Sequence, residues 1–256
     1  GLVGLNEGTI AHCFWDTEVS ELAASDGGTG LPTARMMESQ TFSLSGWARD
    51  PNWIHDDGKD YPRLTWEGKP GQAIRKPVID WLAGQGTVVQ PYIISSPDQM
   101  TLLGTAPVLW DKIFVLGTDL DLRGIPVLPI GVCPGTGFSG FFFGDGHVLH
   151  GLAIDSGETA SVNLGLFGYV DSGGRISDLG LQNARIRTGA RSRNVGLLAG
   201  CSRGIITYAY ACGSVVAGGD SLSLGGLVGS NLASVADCYA LCDVLGGNRN
   251  SGIGGL

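Results

Sequence analysis

The chain has 256 residues and a formal net charge of −8 at pH 7. Only 16% of it is charged, against ~25% in an average globular domain, and glycine reaches 43 residues, far above the usual ~7%. The densest basic stretch is Arg185, Arg187, Arg191 and Arg193, too little to make nucleic acid the main partner, and no apolar run approaches the ~20 residues of a membrane-spanning helix.

Residues 1–15 open with Gly1-Leu2-Val3-Gly4 and continue through Ile10 to Cys13 and Phe14. The string Gly-Leu-x-Gly returns at Gly165, Gly196 (with Ala199 inserted) and Gly226, and Gly255-Leu256 starts another copy. The copies lie about thirty residues apart, which is a solenoid period. Each continues with a β-branched residue: Ile10, Ile176, Ile206 or Val235. A short alternating run follows, then a third run centred on Val215 or Val244 and closed by a glycine pair. Short period-2 strands with glycine corners cannot bury their own apolar face, so the coils must stack. Aligned in this way, Ala209, Cys238 and Cys13 share one rung, and Tyr210, Tyr239 and Phe14 the next. The inserted Ala199 predicts a bulge in its copy.

These residues resemble the GLUG-motif repeats of large bacterial surface proteins. The resemblance implies an all-β fold, a parallel β-helix or β-solenoid with coils of about 30 residues, and an extracellular or cell-surface location. It also implies a structural or adhesive role rather than an enzymatic one. In such proteins a tryptophan-rich closing module follows the array. Here that module is expected over 16–67, after the end of an array at 1–15. It carries Trp47, Trp53 and Trp66, directly after Trp15, and a short helical stretch around Thr33–Gln40. A linker is expected over 68–83 and an opening segment over 84–137. Its helix starts on Ser96 as N-cap, Pro97 at the first position and Gln99 placed for a capping box. The solenoid coils proper are expected over 138–256.

The order is back to front, with repeat copies at both ends. The chain is therefore expected to be a window of a longer tandem protein, or one repeating unit of it. Gly1, Leu2, Val3 and Gly4 at one end and Ile253, Gly254, Gly255 and Leu256 at the other are the candidate assembly ends. Copies of the chain itself are the expected partner, joined head to tail, because heterologous contacts that do not close propagate. Cell-surface or extracellular polysaccharide is the second expected partner.

Export would permit disulfides, with Cys13, Cys201, Cys212, Cys238 and Cys242 as candidates. The acidic loop of Asp56, Asp57 and Asp60 is a weak calcium candidate that lacks the spacing and terminal Glu of a calcium loop. No cofactor is expected. Gly135-Thr136-Gly137-Phe138-Ser139-Gly140 matches a dinucleotide fingerprint by letters, but no strand precedes it and no helix follows. Asp119 with Asp121, and Asp145 beside His147, are the carboxylates to weigh for glycoside chemistry. They read as a solvated strand face and a turn. A carbohydrate-binding or carbohydrate-cleaving β-helix is the alternative function.

Overall fold

The computed structural model describes residues 1–42, 45–47, 50–67 and 82–255. The chain divides into two compact units, Gly1–Trp81 and Leu82–Leu256. Most of the linker expected over 68–83, with Trp81, lies outside the described residues, as does Leu256.

The larger unit is a parallel β-solenoid. One six-stranded sheet runs Tyr92–Ile94, Ile113–Leu116, Phe141–Phe143, Arg175–Ser177, Ile205–Thr207 and Ser234–Ala236. A second six-stranded sheet runs Leu120–Asp121, Val148–His150, Gly180–Thr188, Tyr210–Ala217 and Tyr239–Gly246, with Ala153–Asp155 paired beside Gly180–Thr188. A four-stranded sheet (Val162–Leu164, Arg193–Gly196, Leu222–Gly225, Ser251–Gly254) and a three-stranded one (Phe167–Val170, Ala199–Ser202, Val228–Asn231) complete the coils. Strands from the segment 84–137 thus continue the same two large sheets as the later repeats.

The core is built of ladders, because parallel pairing sets like residues over one another at ~4.8 Å. Tyr92, Phe114, Phe142, Ile176, Ile206 and Val235 stand in register. Leu120, Leu149, Leu181, Ala211 and Ala240 form a second ladder, and Ile154, Ile186, Val215 and Val244 a third. Aromatic rings at the first end give way to smaller side chains at the last.

The Gly-Leu-x-Gly string has a packing cause. A Cβ at its second glycine, Gly200, would stand 2.4 Å from the backbone of Asn163 and Leu164 in the coil before. One at Gly229 would stand 2.3 Å from the Val195 nitrogen. Only a residue without a side chain lets the backbones approach this closely.

Corners are fixed by left-handed residues other than glycine. Asp178, Tyr208 and Asp237 have φ of 55°, 52° and 54° at one corner, and Arg191, Asp220 and Arg249 have 64°, 59° and 60° at another. A buried hydroxyl ladder closes the second corner. The N–H of Ser161 donates to Ser192 Oγ, that of Ser192 to Ser221 Oγ, and that of Ser221 to Asn250 Oδ1, at 3.0, 3.1 and 2.8 Å.

The bulge is not at Ala199, which pairs in regular register with both Phe167 and Val228. The extra residue is taken up in the corner between Gly196 and Ala199, where the next coil has the same length. The register shifts between Leu181 and Ala184 instead, where Asn183 turns left-handed at φ 54°.

The helix at Pro97–Thr105 is capped as its sequence indicates, with Ser96 Oγ accepting from the Gln99 N–H at 3.3 Å. Gln99 Oε1 accepts from the N–H of Ser95, one residue earlier than a standard box.

In the smaller unit, Phe14–Asp16 pairs in parallel with Thr29–Leu31, and Trp53–Ile54 antiparallel with Arg63–Leu64. The helix expected over Thr33–Gln40 is only Thr33–Met36, followed by a 3-10 turn at Ser39–Phe42. Phe14, Phe42, Trp47 and Trp53 form an aromatic cluster in which Trp47 and Trp53 stack at 3.8 Å. Trp15 is buried, whereas Trp66 is 77% exposed and plugs nothing.

Candidate functional site

The strongest unsatisfied feature is the last coil. Ser234–Ala236, Tyr239–Gly246, Ser251–Gly254 and Val228–Asn231 each stand at the edge of their sheet. Inward side chains one coil earlier, Ile206, Ala211, Val215 and Leu224, are fully buried. Their counterparts Val235, Ala240 and Val244 are only half-buried, and Ile253 is 49% exposed. At the opposite end Tyr92 and Ile94 are buried although their strand is also the outermost of its sheet. The stack is closed at one end and open at the other.

The open face also exposes Leu232, Tyr239, Leu241 and Leu245. Asn250 Nδ2 is buried and has no hydrogen-bond partner among the described residues, and it tops the hydroxyl ladder. Exposed sheet edges of this kind template further strands.

Of the candidate assembly ends, Ile253, Gly254 and Gly255 lie on this face and are exposed. Gly1, Leu2, Val3 and Gly4 belong to the smaller unit. With Leu22, Ala24, Ser25 and Asp26 they line a depression of about 650 Å³. Ser25 Oγ accepts from the N–H groups of Leu2 and Val3 there.

The carboxylates weighed for catalysis do not converge on a shared space. Asp119 accepts from the Val148 N–H at 2.9 Å and lies 3.0 Å from His147 Nδ1, and these two contacts hold its carboxyl below the usual range. Asp121 is clamped by Arg123, which pulls it down to about 2. Leu120 and Leu122 are buried on the opposite side, so this is a solvated strand face. Asp145 is a turn residue at φ 51°. The glycine string 135–140 is a loop, and the N–H groups of Gly135 and Gly137 already point at Asp171 Oδ2.

The three calcium candidates all have contacts within the protein. Asp56 pairs with Arg63, Asp57 accepts from the Ser39 amide and hydroxyl, and Asp60 accepts from the Tyr61 N–H. Arg63 also lies 3.9 Å from Asp60 Oδ2, which is buried without a hydrogen-bond partner among the described residues, and no group of three or more ligating side chains is close enough to hold an ion among the described residues.

All six cysteines are free, so the five disulfide candidates are joined to nothing. Cys242 Sγ lies inside the last coil, 3.2 Å from the Ala211 carbonyl. Burial pushes the thiols of Cys201, Cys238 and Cys242 up, which makes them poor nucleophiles.

A second surface feature has no signal in the sequence beyond its two arginines. Ala153, Ile154, Asp155, Arg185, Ile186, Arg187, Ser214 and Val216 line a groove of about 380 Å³ on the flank of the long sheet. Arg187 reaches Glu158 at 3.0 Å.

No family model matches the chain. It is similar to Halomucin of Haloquadratum walsbyi (strain DSM 16790 / HBSQ001). The two are 32% identical over 226 residues, which is 84% of this chain and 2% of Halomucin, so the chain spans about 2% of that relative's length. A solved protein from Bacteroides ovatus described as an immunoglobulin A1 protease aligns at a TM-score of 0.37 and 16% identity. That alignment covers 66% of this chain and 76% of that one, and at such a score it carries no argument. No helix among the described residues is long and apolar enough to cross a membrane.

Proposed function

We propose that this chain is a non-catalytic structural or adhesive element of an extracellular, cell-surface solenoid of the GLUG-repeat kind, and that it assembles head to tail through its coil ends. The observation that carries this reading is the in-register stack of coils, Ile176 on Ile206 on Val235 and Tyr210 on Tyr239, whose inward Val235, Val244 and Ile253 present a face shaped for a further coil. Covering that face stabilises at ~25 cal/mol per Å² of apolar surface removed from water, and a further coil is the shape that fits. The similarity to Halomucin covers 84% of this chain and 2% of that relative, which supports a place in a longer protein. Sedimentation velocity over a concentration series, with electron micrographs of the same samples, tests it. Growth into linear particles is expected. A monodisperse monomer at every concentration, with no ordered fibres, overturns it.

The flank groove favours a second reading, carbohydrate binding. Arg185 and Arg187 lie two apart on one strand and so on one face, beside Asp155 and Ser214. Titration with acidic and neutral polysaccharides, compared with an Arg185→Ala, Arg187→Ala variant, decides it.

A further inference from the structure

We infer that the groove on the flank of the long sheet takes an acidic polysaccharide, with a sugar carboxylate on the fork of Arg185 and the adjoining hydroxyls on Ser214 and Asn183. This rests on the carbohydrate-binding reading above and adds the charge class of the sugar and the side chain that selects it.

The first observation concerns charge partners. Arg187 is paired with Glu158, and Arg123 with Asp121. Arg175 lies over the Phe141 ring at 5.3 Å. Arg185 is exposed, and its guanidinium has no hydrogen bond or ion pair among the described residues. The acids beside it are already engaged: Glu158 holds Arg187, and Asp155 Oδ1 accepts from the Gly157 N–H at 2.7 Å. The side chains of Arg191 and Arg193 are unpaired too among the described residues, so what sets Arg185 apart is its setting. Its register neighbours are Ala153 and Ser214, where those of Arg193 are Val162 and Leu222. Two small neighbours leave Arg185 lining an open groove of about 380 Å³.

The second observation is that the groove sets this cation beside the surfaces a sugar needs. Ser214 Oγ has no hydrogen bond among the described residues, and Val216 on the same strand is 37% exposed. Ala153 and Val216 offer apolar walls to the C–H faces of a ring, while Arg185 and Ser214 offer polar groups that fix its orientation, the make-up of a ligand site. A guanidinium holds its donors in a rigid plane and meets a carboxylate with two parallel hydrogen bonds. Because Glu158 neutralises Arg187, Arg185 supplies the groove's free positive charge. The groove therefore suits a chain with single, spaced carboxylates over a densely charged one.

The third observation extends the track. Asn183 is left-handed at φ 54°, in the same place as Gly151 at φ 72° one coil earlier. The coil after has one residue fewer there, Ala211–Gly213 against Leu181–Ala184. Bulges of this kind re-aim a side chain. Asn183 is exposed and its amide has no hydrogen bond among the described residues. With Asp121, Arg123 and His150 it lines a second depression of about 250 Å³. Gly151 makes room there, since a Cβ on it would stand 2.3 Å from Arg123 Cγ. Asn183 and Arg187 belong to one strand, and at ~3.3 Å per residue the two depressions run for about 13 Å, room for a short oligosaccharide.

Calorimetric titration of the full chain with polygalacturonate, its methyl ester and dextran sulfate tests this. Polygalacturonate is expected to bind, and the uncharged ester to bind at least about 10-fold more weakly, the worth of one hydrogen bond to a charged group. Arg185→Ala is expected to lose the same factor. Arg185→Lys is expected to recover only part of it, because an ammonium lacks the fork. Arg193→Ala removes an exposed, unpaired charge outside the groove and is expected to bind like the parent. Circular dichroism checks that the variants fold. Equal losses at Arg185 and Arg193, or dextran sulfate bound as tightly as polygalacturonate, reduce the effect to general charge attraction and overturn the inference. An ester bound as tightly as the acid, and weakened by Ser214→Ala, overturns the acidic assignment while the carbohydrate reading stands. Binding of none of the three overturns that reading as well.

Discussion

Tyr210 and Tyr239 stack ring on ring, with centroids 5.0 Å apart and planes within 3° of parallel, one coil above the other. The backbone register beneath them pairs the same two residues, so the stack is a direct product of the 29-residue step between them. Tyr210 Oη also accepts from Gln182 Nε2 at 3.0 Å, which extends the contact to the coil before. Replacing Tyr239 by alanine is expected to cost about 0.5–1.5 kcal/mol, the worth of an aromatic pair beyond its buried area. Phenylalanine at the same position is expected to cost little. Urea unfolding of the two variants measures the difference, and equal midpoints would show that the stack contributes nothing.

Gly200 is expected to tolerate no side chain. The alanine Cβ would meet the Asn163 and Leu164 backbone at 2.4 Å, and backbone cannot swing aside as a flexible side chain does. Gly200→Ala is expected to cost at least about 1–3 kcal/mol, the range for overpacking a filled interior. Gly4→Ala, where nothing lies within 4 Å, serves as the control. Comparable melting temperatures for the two would remove the close approach as the reason for the motif.

Much of this architecture was legible in the letters. The spacing of Ile176, Ile206 and Val235 predicted one rung, and they pair in one. Tyr210 over Tyr239 and Val215 over Val244 were legible for the same reason: stacking identical coils forces like onto like. Less legible was where irregularity sits. Ala199 looked like an insertion, but a corner absorbs an extra residue without disturbing pairing, whereas Gln182 and Asn183 shift a strand that has too many residues for its partner. The exposure of the last coil was not legible. Its half-buried Val235, and an Asn250 Nδ2 without a partner among the described residues, are set by three-dimensional packing, and a sequence pattern does not carry them. The left-handed backbone of His12 was only partly legible: Asp and His are enriched in that conformation and Asp178 and Asp237 hold the equivalent corner, but Tyr208 holds it too.

The hydroxyl ladder gives a sharper mutational test than its size suggests. Ser192 is fully buried. Its Oγ accepts from the Ser161 N–H and lies 2.7 Å from Thr188 Oγ1, while it donates to the Gly189 carbonyl. Ser192→Ala strands the part-buried Ser161 amide and the buried Gly189 carbonyl, and an unsatisfied buried group costs about 1–3 kcal/mol. Ser221→Ala is expected to cost a similar amount, since its contacts repeat one coil on. Chemical denaturation of both variants decides it; parental stability would mean that water substitutes for the hydroxyl.

Reductant is expected to leave the fold unchanged, because all six thiols are free. Thermal unfolding with and without dithiothreitol tests this. A thiol reagent is expected to modify the exposed Cys133 quickly and the buried Cys201 slowly, in line with the raised Cys201 thiol. A melting temperature that falls on reduction would mean that a disulfide forms in the folded protein after all.

The smaller unit carries its own pH dependence through Asp16 and Tyr61, whose hydroxyl donates to Asp16 Oδ2. Partial burial alone would raise Asp16, but the Tyr61 hydroxyl and the N–H groups of Val19 and Glu18 outweigh it and hold the carboxyl below 3.8. A carboxyl lowered by folding stabilises above its unfolded value of ~3.9, and that stabilisation is lost as pH falls through the lower, folded value. Tyr61 shifts the other way. Burial first, then the bond and charge of Asp16, push the phenol well above 10.0. Its contribution is complete below the unfolded value of ~10 and is lost as pH rises beyond it. The unit should therefore be most stable between these two limits, with both flanks tied to one hydrogen bond. Tyr61→Phe removes the phenol and that bond together. It is expected to abolish the alkaline loss and to soften the acid one, leaving the part that Val19 and Glu18 supply. Tryptophan fluorescence from the stacked Trp47 and Trp53 follows unfolding across the pH range, and an unchanged alkaline limb in the phenylalanine variant would assign the titration to another group.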